Sequence, residues 1–261
     1  MMGYKANGRI IDKVSNKINS FAKKIYKNLP WVLVVDYMQA VSMAQIVNPA
    51  LKKYRNCFSN KDVYIVGGGE TVKLFDPKKR SNDVYIGINR AFRDERYEFD
   101  FLFAQDQFSE GFEEFIGYRG DKCTKLLAIV PKNTYYKMNT IGLEGRFEQY
   151  VLASRTMKDI PYDISIEPFA DLCGTGFSAI QFAIYGNAKS INLIGFDCTV
   201  GDIFCSENKL HNFAYQLPSW YLIKNHAKQL GVLERFCTIN PVGLKGLFKD
   251  IYSGFPIDKV G

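Results

Sequence analysis

Few side chains in this 261-residue sequence suit proton transfer near neutral pH, since only two histidines are present. His211 lies in the polar stretch Glu207-Asn-Lys-Leu-His-Asn212. There an imidazole could take a proton from a hydroxyl or give one to a leaving phosphate. His226 falls inside a helical pattern over residues 220–230 and reads as structural or exposed. Asp197 and Asp106 are the reserve carboxylates for a base, with an ion pair to Arg90 or Arg93 as the alternative for Asp106. The other chemistry on offer is anion binding. Two glycine-rich turns, Gly67-Gly68-Gly69-Glu70-Thr71 and Gly174-Thr175-Gly176, each precede a stretch read as a helix. Glycines allow close approach of backbone amides to a phosphate, and a helix N-terminus adds partial positive charge.

These residues need a frame that brings them together. Apolar, β-branched and aromatic runs at 63–66, 84–88, 101–103, 126–130, 190–194 and 236–239 read as buried strands, with 164–166 as a further short one. Helical patterns over 175–186 and 218–230 alternate with them, another helix is expected after Pro241, and helices over 31–60 lead into the first strand. The fold class is α/β, a Rossmann-like doubly wound and mostly parallel sheet with a helical N-terminal extension. The division expected is a basic helical extension over 1–60 and a nucleotide-binding domain over 61–261. Residues 132–160 lack periodicity and read as an excursion or lid over the site. In such a sheet the ligand sits beyond the carboxyl ends of the strands. That places Gly67, Gly68, Gly69, Thr71, Asn89, Gln105, Asp106, Gly174, Thr175, Gly176 and Asp197 at the site.

Several function classes drop out. The second strand ends in Asn89 rather than an acid, and Val72 stands where a third fingerprint glycine would be, which argues against a nicotinamide dehydrogenase. No Walker glycine-lysine motif is present. No two aspartates lie one residue apart and no Cys-x-x-Cys pair exists, so metal-independent chemistry is expected and no metal ligands are assigned. Ten of the 34 basic residues but only two of the 27 acidic ones fall in residues 1–60, so the net charge of +7 belongs to that segment. A nucleic-acid groove across the core is therefore excluded. The apolar stripe Ile11, Val14, Ile18, Phe21, Ile25 and Leu29, with lysines on other faces, has two readings. One is a helix packed on the domain with a solvated basic face. The other is peripheral contact with anionic membrane through residues 1–30. A cytoplasmic protein, with or without such contact at the inner membrane, is expected.

The segments Val63-Tyr-Ile-Val-Gly-Gly-Gly-Glu-Thr-Val-Lys-Leu74, the strand ending in Asn89, Gly174-Thr-Gly-Phe177, Ile191-Asn-Leu-Ile-Gly-Phe-Asp197 and Asn240-Pro-Val-Gly-Leu-Lys-Gly-Leu-Phe248 follow one another in a known order. That order resembles bacterial sialyltransferases of glycosyltransferase family 42. The layout is also similar to the wider group of motility-associated flagellin glycosyltransferases and hydroxymethylpterin diphosphokinases. The resemblance spans about residues 62–250. It implies a nucleotide-binding α/β domain that uses a CMP-sugar without metal or other cofactor. It aligns donor-binding positions with Gly67, Gly68, Gly69, Glu70, Thr71, Asn89, Gln105 or Asp106, and Thr175-Gly176. It aligns an aspartate with Asp197 and a general-base histidine with His211. Gly68 replaces the family's donor-binding asparagine, and Cys198-Thr199 replaces its tyrosines. The function expected is transfer of a sugar from a nucleotide sugar, a CMP-activated acidic sugar first, to a carbohydrate acceptor on a bacterial surface glycan. The alternatives are a Mg²⁺-dependent pterin-type diphosphokinase and a non-catalytic nucleotide-sugar-binding protein.

Overall fold

A computed structural model describes residues 30–77, 82–105, 111–129, 147–153, 160–199, 201–205 and 212–253, with side chains in the first helix from Asp36 onward. His211, Asp106, the amphipathic stretch before residue 30 and most of 132–160 lie outside the described residues.

Eight strands form one sheet: β1 (Asp62–Val66), β2 (Asp83–Ile88), β3 (Phe101–Ala104), β4 (Thr124–Ile129), β5 (Glu148–Val151), β6 (Ser190–Ile194), β7 (Phe236–Ile239) and β8 (Lys249–Ile251). Their spatial order is β5-β4-β3-β2-β1-β6-β7-β8, and each neighbouring pair is parallel. The chain leaves β1 toward β2 on one side and returns to its other side as β6, so the strand order reverses between β1 and β6. Four α-helices are described: α1 (Pro30–Val47), α2 (Phe112–Gly117), α3 (Thr175–Tyr185) and α4 (Leu217–Gln229). None is long and apolar enough to cross a membrane.

Strands buried on both faces explain the continuous apolar runs. Val63, Ile65, Ile86, Phe103, Leu126, Ile191 and Leu193 pack on one face with Ile180 and Phe182 of α3 and Trp220 and Ile223 of α4. The opposite face buries Val66, Tyr85, Leu102, Leu127 and Ile194 beneath Val72, Phe92, Phe99 and Phe115. Each fully buried side chain of this size contributes about 1.5–3 kcal/mol. Helix α3 carries most weight, because ten of its eleven residues are buried. It connects β5 to β6 and runs antiparallel to both, which sets its N-terminus over the carboxyl ends of the strands.

The N-terminal part of the described chain belongs to this packing. Ala40, Met43 and Ala44 of α1 meet Val151 and Ala153. Asn48 is fully buried, where its Nδ2 donates to the carbonyls of Ile164 and Glu167 and its Oδ1 accepts the Val151 N–H. Phe58 lies so close to Gly186 that a Cβ there would sit 2.2 Å from its ring.

Four local expectations are corrected. Residues 164–166 form a turn, because the Asp163 carboxylate accepts both the N–H and the hydroxyl of Ser165. Residues 148–151, expected within the excursion, are strand β5 at the edge of the sheet. Among the described residues after Pro241, 242–253, there is no helix. Gly246 at φ +74° turns the chain, Asp250 accepts its N–H at 3.0 Å and the Thr238 hydroxyl at 3.0 Å, and β8 follows. The helix expected after Gly69 is only a five-residue 3₁₀ turn, Glu70–Leu74. Pro77 disfavours helical backbone in the residue before it, and Phe75 is already extended.

Candidate functional site

The start of α3 gathers side chains from three strand ends. Thr175 Oγ1 donates to Asn89 Oδ1 at 3.0 Å, just beyond β2. Gln105, buried at the end of β3, donates from Nε2 to Ser178 Oγ at 3.2 Å and to the Gly174 carbonyl at 3.4 Å. Phe196, beyond β6, and Ile88, ending β2, lie against Gly176, where a Cβ would be 2.5 Å from the Phe196 ring. Gln216 of the 3₁₀ turn Phe213–Gln216 closes the circle by donating to the Cys173 carbonyl at 3.0 Å. Among the described residues no side chain caps the helix, whose N-cap is Gly174. Phe177 N–H bonds back to the Gly174 carbonyl at 3.1 Å, which leaves the Thr175 and Gly176 N–H groups as the open donors of the first turn, and the peptide dipoles add about half a unit positive charge there. The arrangement can hold a phosphate.

The first turn differs. Gly67 N–H donates to the Ile194 carbonyl and Gly69 N–H to the Gly195 carbonyl, both at 2.8 Å. These two amides are committed to β6 and are not free to cradle a phosphate as the sequence suggested. The glycines are needed for close packing instead: a Cβ on Gly67 or Gly69 would stand 2.7 Å from the Gly195 carbonyl oxygen. Asp197 fastens the same junction. Its Oδ2 accepts the Thr71 N–H at 3.0 Å and its Oδ1 accepts the Thr71 hydroxyl, and the residue is buried. Both oxygens thus serve the 3₁₀ turn, which places a structural task on Asp197 beside the catalytic one expected of it.

The loop after Asp197 folds back over this turn. Ile203 N–H donates to the Gly68 carbonyl at 2.9 Å, and the Asp202 carboxylate rests on Gly68. Burial raises the Asp202 pKa, against the Phe204 N–H and the nearby Arg90 guanidinium, which both favour the anion. Arg90 itself is buried at the end of β2. Backbone strain collects at this rim: Asn89, Cys173, Cys198 and Asn240 all have φ between +49° and +68°. Burial pushes the Cys198 thiol up to about 11, so it is no thiolate nucleophile at neutral pH.

The structure therefore brings Gly67, Gly68, Gly69, Thr71, Asn89, Gln105, Gly174, Thr175, Gly176 and Asp197 to one rim of the sheet. His211 and Asp106 lie outside the described residues, one position from Asn212 and Gln105 respectively. Sequence reasoning missed Arg90, Asp202 and Gln216. Adjacency to Asn89 could have flagged Arg90, whereas Asp202 and Gln216 reach the site only by chain reversals without a local signal. Among the described residues no group of three or more His, Cys, Asp or Glu is placed to hold a metal ion.

No family model and no curated protein matches the chain. Among solved structures it is similar to the sialyltransferase CstII from Campylobacter jejuni, determined with the substrate analogue CMP-3FNeuAc. The identity is 12% and the TM-score 0.43, over 73% of this chain and 86% of that one. It is also similar to the MAf glycosyltransferase from Magnetospirillum magneticum AMB-1, at 10% identity and a TM-score of 0.41. That match covers 77% of this chain but 39% of the other.

Proposed function

We propose that this protein is a glycosyltransferase that moves a sugar from a nucleotide-sugar donor to a carbohydrate hydroxyl of a surface glycan. A CMP-activated acidic sugar is the first-choice donor. The observation that carries the reading is the α3 N-terminus at the carboxyl rim, uncapped among the described residues and ringed by Asn89, Thr175 and Gln105. The order of sequence motifs supports it. In this reading the α3 amides bind the donor phosphate, and Asn89 and Thr175 orient it. His211 takes the proton of the acceptor hydroxyl as that oxygen bonds to the anomeric carbon. The bond from that carbon to the phosphate oxygen breaks, and the nucleotide leaves with the electron pair. Asp197 is the alternative base. No metal is required, and residues 1–30 bring the enzyme to an anionic membrane carrying the acceptor.

The test is turnover of CMP-activated sugars with glycan acceptors, with and without excess EDTA. His211→Ala is expected to lower turnover by about two to four orders of magnitude and to leave CMP affinity unchanged. Sugar transfer abolished by EDTA and restored by Mg²⁺ would overturn the metal-independent reading, and Mg²⁺-dependent turnover of ATP without sugar transfer would favour the diphosphokinase alternative. Undiminished turnover in His211→Ala would remove that residue as the base.

A further inference from the structure

Asp202 occupies the space that Gly68 leaves open. A Cβ on Gly68 would fall 2.3 Å from Asp202 Oδ1 and 2.6 Å from its Cγ. The placement is fixed at both ends, because Ile203 N–H donates to the Gly68 carbonyl and Phe204 N–H donates to Asp202 Oδ1, each at 2.9 Å. Among the described residues no hydrogen bond reaches Oδ2, and Asp202 is only partly buried. The two ends of the site thus offer different groups, amides at one and a carboxylate with Arg90 near it at the other. The phosphate-attracting start of α3 is fastened to the ends of β2 and β3, whereas Asp202 arrives from beyond β6 and rests on the turn after β1. A carboxylate repels phosphate and accepts hydrogen bonds from hydroxyls. Doubly wound sheets commonly hold ribose hydroxyls with an acid at the end of the second strand, and Asn89 stands there instead.

We infer that Asp202 is the specificity residue that binds the ribose hydroxyls of the nucleotide, supplying from the far side of the β1–β6 junction the carboxylate that β2 lacks. This rests on the nucleotide-binding reading above. Its test is calorimetric titration of CMP, UMP and their 2′-deoxy counterparts into wild type, Asp202→Asn and Asp202→Ala. Wild type should bind the ribonucleotide about tenfold more tightly, as befits one hydrogen bond to a charged group. In Asp202→Ala the ratio should fall to about one through loss of ribonucleotide affinity alone. Asp202→Asn keeps an acceptor for Phe204 and should lie between. An unchanged ratio in both variants, or no ribose preference in wild type, overturns the assignment while nucleotide binding stands. Failure of wild type to bind any of the four overturns both. The placement has its own check: Gly68→Ala should destabilise wild type and cost much less in the Asp202→Ala background. Equal costs in both would remove the contact.

Discussion

The turns at Gly67–Thr71 and at Gly174–Gly176 look alike as sequence and differ as objects. The first has no helix behind it, only a 3₁₀ turn, and spends two amides and the Asp197 carboxylate on joining β1 to β6. The second opens an eleven-residue helix that no side chain among the described residues caps, with polar groups from neighbouring loops turned onto it. Glycine serves both, for different reasons. In the first it lets two backbones touch, and in the second it lets Phe196 and Gln216 close on a helix start. A glycine-rich stretch after a strand therefore marks close approach, and only the surrounding hydrogen bonds say whether the neighbour is the protein itself or a ligand.

Substitutions that separate stability from binding can break this contrast. The largest stability loss belongs to Gly67→Ala and Gly69→Ala, whose new Cβ meets a backbone carbonyl that cannot swing away. About 3 kcal/mol is expected, at the upper end for overpacking, read from urea unfolding. Asp197→Ala strands the Thr71 N–H and hydroxyl and should cost about 2 kcal/mol. Asp202→Asn should do the reverse by a smaller amount. Burial makes the folded state prefer the neutral acid, so wild type loses stability as pH rises from 3.8 through its raised folded value. The Asn variant stays neutral throughout. Its advantage should be absent below that window and complete above it, as unfolding on either side will show. The smallest effect is expected at Gly174→Ala. The backbone there is extended, and the Cβ presses only on the end of the Gln216 side chain, which can swing aside at the loss of its bond to the Cys173 carbonyl, so stability should move by no more than about 1 kcal/mol.

The strands were legible because burial on both faces imposes long apolar runs, and six of the eight can be read directly from sequence. Strand β5 was not, since Glu148-Gln149-Tyr150-Val151 sits at the sheet edge and lacks such a run. Strand β8 was hidden by Pro241 and by an apolar-glycine pattern that mimics a helix start, while the turn is made by Asp250 binding back to Gly246. The position of the site followed from strand order. Its internal division did not, because the partners of Gly67, Gly69 and Thr71 lie more than 120 residues away in sequence. Asp202 was invisible for the same reason, its relation to Gly68 being set by a loop that doubles back.

The central claim is that a nucleotide phosphate sits at the start of α3 and not on the β1 turn. Calorimetric titration of CMP into wild type, Asn89→Gly and Gly69→Ala tests it most directly, with unfolding midpoints measured without ligand. Glycine is chosen at 89 because φ there is +50°, so the amide is removed without straining the backbone. The expected result is about tenfold weaker CMP binding in Asn89→Gly at a nearly unchanged midpoint, against a lowered midpoint with retained affinity in Gly69→Ala. Full affinity in Asn89→Gly, together with lost affinity in a Gly69→Ala protein of wild-type stability, would contradict the account and put the phosphate on the β1 turn.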